Sequence, residues 1–167
     1  MKSILSFLSV FAFALLKNGN QAIFKLASSQ IISQLIGGEY PAYEKIIPTE
    51  TTTKTAILTE DLFKAVKTAS IFARDNANIV KFTIKGEELV VTANTSGVGT
   101  NKSTVAIKKE GEDNEIAFNS RYLLDFLNCV KDGEISFEMT GPLNPGIFKK
   151  VKDENFLHVI MPVRVQT

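Results

Sequence analysis

One pattern restricts the fold of this chain more than any other: the order strand, helix, three strands occurs twice, about sixty residues apart. In the first copy a strand over 54–58 ends at Thr59, a good helix N-cap, and Glu60 and Asp61 place negative charge at the start of a helix over 60–74. Strands follow over 79–84, 88–93 and 103–108, separated by Gly86 and by a glycine-bearing loop over 95–100. The second copy has a strand over 115–118, the N-cap Asn119, a helix over 120–131, and strands over 134–139, 146–151 and 156–163. Leu58 then matches Phe118, Thr59 matches Asn119 and Val66 matches Phe126, which makes internal duplication the economical reading. Two such halves predict an α+β domain with two helices on one side of antiparallel sheet.

The helix faces carry the next step. Leu62, Val66, Ala69 and Ala73 fall within one narrow arc and form the stripe expected to face the sheet. The opposite side carries Lys64, Lys67, Ile71 and Arg74, a line of cations that suits a phosphate backbone, although lysine-rich solvent faces are also common. Ile71 on the polar side, with Phe72 on its flank, fits a partner surface better than a monomer's core. The second helix is expected to bury Leu123, Phe126, Leu127 and Val130 and to expose Arg121, Asp125 and Asn128.

Residues 1–49 form only part of such a unit. The apolar run from Ile4 to Leu16, led by Lys2, admits two readings: a secretory leader, or a short helix over 3–10 feeding a strand over 11–17. The turn Asn18-Gly19 and a return strand over 21–26 favour the second, and residues 30–36 read as a third strand stopped by Gly37-Gly38. A helix and three strands match the repeat without its opening strand, so their apolar faces call for more sheet than these residues contain. Residues 39–53 read as a linker, two prolines bracketing aromatic and aliphatic side chains.

Composition removes several function classes. Nineteen basic against 18 acidic side chains leave a net charge of +1, so attraction to nucleic acid or anionic lipid depends on local arrangement. A single cysteine, Cys129, and a single histidine, His158, exclude an internal disulfide and any multi-cysteine or multi-histidine metal site. A reducing cytoplasm fits best. Glu87, Glu88, Glu110, Glu112 and Asp113 sit in polar, turn-like runs, no glycine-rich phosphate loop occurs, and no residue is nominated as a catalyst, a metal ligand or a cofactor ligand.

Two proline-bearing segments stand out instead. One is Gly141-Pro142-Leu143-Asn144-Pro145-Gly146; the other is the terminal His158-Val159-Ile160-Met161-Pro162-Val163-Arg164-Val165. An apolar strand carrying a proline belongs at a sheet edge, and apolar edges beside proline-fixed loops make grooves for short peptides.

Four segments together carry a resemblance: Gly38-Glu39-Tyr40-Pro41-Ala42-Tyr43, the run from Glu115 to Leu123, Gly141-Pro142-Leu143, and Ile160-Met161-Pro162-Val163-Arg164. In that order and spacing they closely resemble the bacterial DNA polymerase III beta subunit, the sliding clamp. The resemblance implies a DNA-clamp fold in which 50–167 are the C-terminal domain and 1–49 the latter half of the middle domain. It implies a non-catalytic, cytoplasmic processivity factor without cofactors or a membrane anchor. It also implies a peptide-binding pocket at Pro41, Lys45, Ile46, Leu143, Pro145, Val159, Ile160, Met161, Pro162, Val163, Arg164 and Val165. Its implied partners are duplex DNA, touched at the backbone by Lys64, Lys67, Arg74 and Arg121, and the polymerase III alpha subunit, clamp loader and repair polymerases, held through short peptide motifs.

The family's head-to-tail homodimer implies a subunit contact at Ile71 and Phe72, beside an edge strand near 103–108. Residues 1–12 match the family poorly, which points to a truncated or aberrant start; without the family's first domain the head-to-tail contact has no complementary surface, so a chain that does not close a ring by itself is the expectation. Two rival readings are a free-standing peptide-binding module of clamp fold and a secreted β-rich protein with a leader.

Overall fold

The computed structural model describes residues 12–16, 20–40, 42–95, 99–151 and 153–164, without the side chains of Glu154 and Asn155. They fall into two units, Met1–Ala42 and Tyr43–Thr167. In the first, β1 (Ala12–Leu15), β2 (Gln21–Lys25) and β3 (Gln30–Gln34) form an antiparallel meander in that order. Phe13, Phe24 and Ile31 make one row across it, with the two rings 5.1 Å apart. β3 ends at Gln34, two residues before the expected Ile36, where it pairs with Gln21 at the start of β2. The expected helix over 3–10 and the turn Asn18-Gly19 lie outside the described residues.

The second unit holds the duplication. After a single 3-10 turn, Tyr43–Lys45, come β4 (Thr53–Leu58), α1 (Thr59–Ala73), β5 (Ile79–Lys85), β6 (Glu88–Thr95) and β7 (Gly99–Gly111). Then follow β8 (Asn114–Asn119), α2 (Ser120–Cys129), β9 (Glu134–Met139), β10 (Gly146–Lys150) and β11 (Asp153–Ile160). The strands form one sheet in the order β11-β10-β9-β4-β7-β6-β5-β8. Each half lends its opening strand to the other: β4 pairs with β9, and β8 pairs with β5. The duplicated strand-helix-three-strand domain with two helices on antiparallel sheet is thus present.

Its internal register differs by one residue from the expected one. α1 begins at Thr59 and α2 at Ser120, an offset of 61, which matches Leu62 with Leu123 and Val66 with Leu127, all four buried. Thr59 is accordingly the first helical residue and not the cap; Leu58 holds the extended cap position without a side-chain bond. The cause is a backbone bond made twice. The Thr59 N–H donates to the Gly133 carbonyl at 3.0 Å, and the Ser120 N–H donates to the Asn78 carbonyl at 2.8 Å. Both carbonyls belong to residues just before the other half's sheet, with φ of 91° and 59° respectively. At α2 the expected cap is in place: the Arg121 N–H donates to Asn119 Oδ1 at 3.0 Å.

Inward positions alternate with period two along β5 (Val80, Phe82, Ile84) and β6 (Leu89, Val91, Ala93), and the helix stripes close over them. Five buried rings, Phe82, Phe118, Phe126, Phe137 and Phe148, fill the centre. Phe137 stacks on Phe148 at 4.7 Å and meets Phe82 and Phe118 edge-on at 6.0 and 5.9 Å. β7 is much longer than the expected 103–108 because it changes partner midway, lying beside β6 up to Ala106 and beside β4 from Ile107.

A cavity where the second repeat departs from the first

The two halves differ at their ends. In the first, β7 continues past its own meander and completes a ladder beside β4. In the second, β11 stops at Ile160, earlier than the expected Val163, and Pro162, which has no N–H to donate, follows. β11 does lie at the sheet edge, but the proline is beyond its ladder. Past the proline the Val163 N–H donates to the Ala117 carbonyl of β8 at 2.8 Å. Where a longer ladder would have run, a cavity of about 110 Å³ opens. Ile116 and Ala117 of β8, Pro142 and Leu143 of the proline turn, and Val163 line it with apolar surface; Lys81, Glu115 and Arg164 supply charge. Leu143 is 61 % exposed, on a turn braced by the Asn144 N–H to Gly141 carbonyl bond of 3.2 Å.

This geometry brings together Leu143, Val163 and Arg164 from the residues singled out in the sequence. Met161 is exposed and Val159 and Pro162 are half-buried nearby in the chain, whereas Pro145 and Ile160 point into the interior. Lys45 and Ile46 are exposed at the 3-10 turn and do not line the cavity; Pro41 and Val165 lie outside the described residues. Sequence reasoning missed Lys81, Glu115, Ile116, Ala117 and Pro142 as lining residues. Pro142, Glu115, Ile116 and Ala117 were within segments already noted, but β8 meets Lys81 at the cavity only because it crosses into the first half's sheet, which no local pattern announces.

The exposed stripe of α1 is less basic than its cations suggest, because Glu60 stands on it. Lys64 Nζ lies 2.7 Å from Glu60 Oε1, a hydrogen-bonded pair that raises the lysine's pKa and lowers the glutamate's. Lys67 Nζ sits 5.5 Å from the centre of the Phe63 ring. Arg74 and Arg121 are exposed, and Arg121 lies in the first turn of α2, where the helix dipole opposes a cation. Ile71 is 60 % exposed, while Phe72 is partly buried against the core and accepts a bond from Thr95 Oγ1 through its carbonyl.

A larger concavity, about 460 Å³, lies over β4, β7 and β9 to β11. Its lysines (54, 108, 149 and 150) stand among Glu110, Glu134, Glu138 and Asp153, and the buried carboxylate, Glu138, is satisfied by Ser136 at 3.1 Å and Lys149 at 2.7 Å. With four cations and four anions, that surface is net-neutral. Among the described residues no cluster of three metal-ligating side chains occurs, and no helix is long and apolar enough to cross a membrane.

Set against known proteins, residues 44–164 match the family model of the DNA polymerase III beta subunit, C-terminal domain. The chain belongs to this family. The clamp match covers β4 to β11 and every residue that lines the small cavity. The beta sliding clamp of Staphylococcus epidermidis is 34 % identical over 147 residues, 87 % of this chain and 39 % of the relative. That of Chlamydia pneumoniae is 36 % identical over 135 residues, 81 % of this chain and 36 % of its own length. Among solved structures, the sliding clamp of Bacillus subtilis superposes with a TM-score of 0.79 at 28 % identity, covering 92 % of this chain and 41 % of that one. A clamp from Bartonella birtlesii gives 0.78 at 30 % identity, over 92 % of this chain and 43 % of that one. The chain therefore spans about two fifths of the length of the clamps it matches.

β11, which feeds the cavity's terminal wall, also carries a titration. His158 stacks on Phe126 at 4.9 Å and 20°, and burial lowers its pKa from the ordinary 6.5. A depressed histidine pKa means that the unfolded chain binds the proton more tightly, so the stability present above about pH 6.5 is lost as pH falls through the folded value. Thermal melts at pH 7.5 and 5.5 should show a larger drop for the parent chain than for His158→Gln. Equal drops would remove His158 from that account.

Proposed function

We propose that this chain is the peptide-docking portion of a sliding clamp, taking a short apolar-aromatic motif into the cavity between β8, the Pro142-Leu143 turn and Val163-Arg164. The supporting observation is the convergence of an exposed leucine, a proline-ended edge strand and an incomplete ladder on one small apolar hollow. Partners of this kind are the polymerase III alpha subunit, the clamp loader and repair polymerases, each offering such a motif. In an assembly of the relatives' length, α1 and α2 would present Lys64, Lys67, Arg74 and Arg121 to the DNA backbone, and Ile71 with Phe72 would meet a second subunit. Without base readout such a contact is loose and salt-sensitive, as sliding along the duplex requires. Cytoplasmic residence follows from the same reading.

Fluorescence anisotropy with a labelled polymerase-derived peptide tests this directly. Binding should be saturable, and Leu143→Asp should weaken it by at least about 30-fold, the loss of one apolar anchor worth about 2 kcal/mol. A peptide that does not bind, or binds Leu143→Asp equally well, would remove the groove from the reading. Retention on circular but not linear DNA would separate an encircling clamp from a free-standing peptide module.

A further inference from the structure

Two walls of the cavity grow out of the same end of one ladder, and a titratable ring sits beside that end; the step taken from this rests on the peptide-docking reading. Gly146 pairs with Ile160 as the last rung between β10 and β11. The Leu143 turn leads into Gly146, and Ile160 leads out to Val163 and Arg164. Among the described strands β11 is held by β10 alone, at the sheet edge, and a register shift at Lys149-Lys150 leaves four regular pairs, from Leu157 to Ile160.

His158 belongs to one of those four pairs. It is level with Phe148, two residues before the last rung, and its ring stacks on Phe126 of α2, which itself lies 5.1 Å from Phe148. It is the chain's single histidine, hence its one side chain with an ordinary pKa between about 5 and 8. The titratable groups of the surrounding elements do not serve it. Arg121, Tyr122, Asp125 and Cys129 on α2, Lys150 on β10 and Asp153 on β11 are exposed, Lys149 is engaged by Glu138, and burial alone lowers the histidine's pKa. The attraction of an imidazolium for the Phe126 face therefore falls short of the cost of burying it.

We infer that His158 is a proton-operated latch on the groove: neutral, it clamps β11 to α2; protonated, it frees the end of β11, slips the Val163 N–H from the Ala117 carbonyl and dismantles the terminal wall. An edge strand held by few pairs opens locally at lower cost than the whole unit, so this release needs no global unfolding. The Leu143 wall shares the Gly146–Ile160 rung and loosens with it. The groove thus holds a peptide above about pH 6.5 and gives it up progressively below that value, where the freed ring binds the proton more tightly than the stacked one.

The full chain is titrated with a labelled, histidine-free peptide of apolar-aromatic sequence at pH 7.5 and 5.5, and hydrogen exchange of the Val163 amide is followed at both. Affinity should fall about 5-fold or more at pH 5.5, and Val163 protection with it, while the far-ultraviolet circular dichroism stays the same. His158→Phe, which keeps a stacked ring without the proton, should bind like the parent at pH 7.5 and lose less than about 2-fold at pH 5.5. His158→Gln should be equally insensitive to pH and takes its place if the phenyl ring does not fit. If parent and variants lose affinity alike, or the parent loses none, the latch is wrong while docking stands. Loss of the dichroism spectrum together with affinity would mean global unfolding and also overturns it. If the peptide binds at neither pH, docking fails, and Val163 protection decides the latch alone: equal protection at the two pH values overturns it.

Discussion

Phe137→Ala should be the most damaging single change in the second unit. Phe137 is wholly buried and its ring touches three others, those of Phe82, Phe118 and Phe148. Truncation removes the transfer free energy of the ring and leaves a void in a close-packed centre, about 3–5 kcal/mol together. β9 lies between β4 and β10, so it cannot move in from one side without breaking a ladder on the other. Calorimetry should show a fall in melting temperature of roughly 10–20 °C for a unit of this size. A fall under a few degrees would mean that the four rings repack freely and that the cluster contributes far less than its burial implies.

Gly111→Ala should follow closely, for a different reason. Gly111 has φ of 90°, a conformation L side chains rarely adopt, and an added Cβ would be driven into the Thr52 backbone carbonyl. That carbonyl accepts the Glu112 N–H at 3.0 Å, so shifting it also loosens the end of the β4–β7 ladder, where Thr53 pairs with Gly111. Strain and collision together should cost about 2–5 kcal/mol. Gly133 provides the comparison: its φ is 91°, yet nothing lies within 4 Å of its would-be Cβ, so Gly133→Ala should lose only the strain, about 1–2 kcal/mol. Urea titration of both variants distinguishes these; equal losses would show that the carbonyl gives way easily.

Much of this architecture was readable from residue order. The inward stripe Leu62, Val66, Ala69 and Ala73 is buried as its spacing requires, and β9 spans the expected 134–139. Those features arise from local periodicity, which a sequence displays directly. The exchange of opening strands between halves does not, because β4 beside β9 and β8 beside β5 are pairings across long separations. Three misreadings share that origin. The length of β7, the position of Thr59 and the presence of Lys81 and Glu115 at the cavity all depend on which half a strand joins. Glu60 was a simpler oversight: its four-residue spacing from Lys64 was visible in the helix itself. Leu143 and Val163 were found through proline, which limits pairing wherever it falls, whereas Pro145 and Ile160 share those segments but turn inward.

The strand exchange between halves also governs how the second unit comes together. Neither half can close its sheet until the other has been synthesised, since β5 waits for β8 and β9 needs β4 from far upstream. Contacts this distant along the chain favour slow acquisition of structure, on the order of milliseconds to seconds. They also couple the halves, since β4 and β5, the outer strands of the first half's four paired strands, are covered only by β9 and β8 of the second.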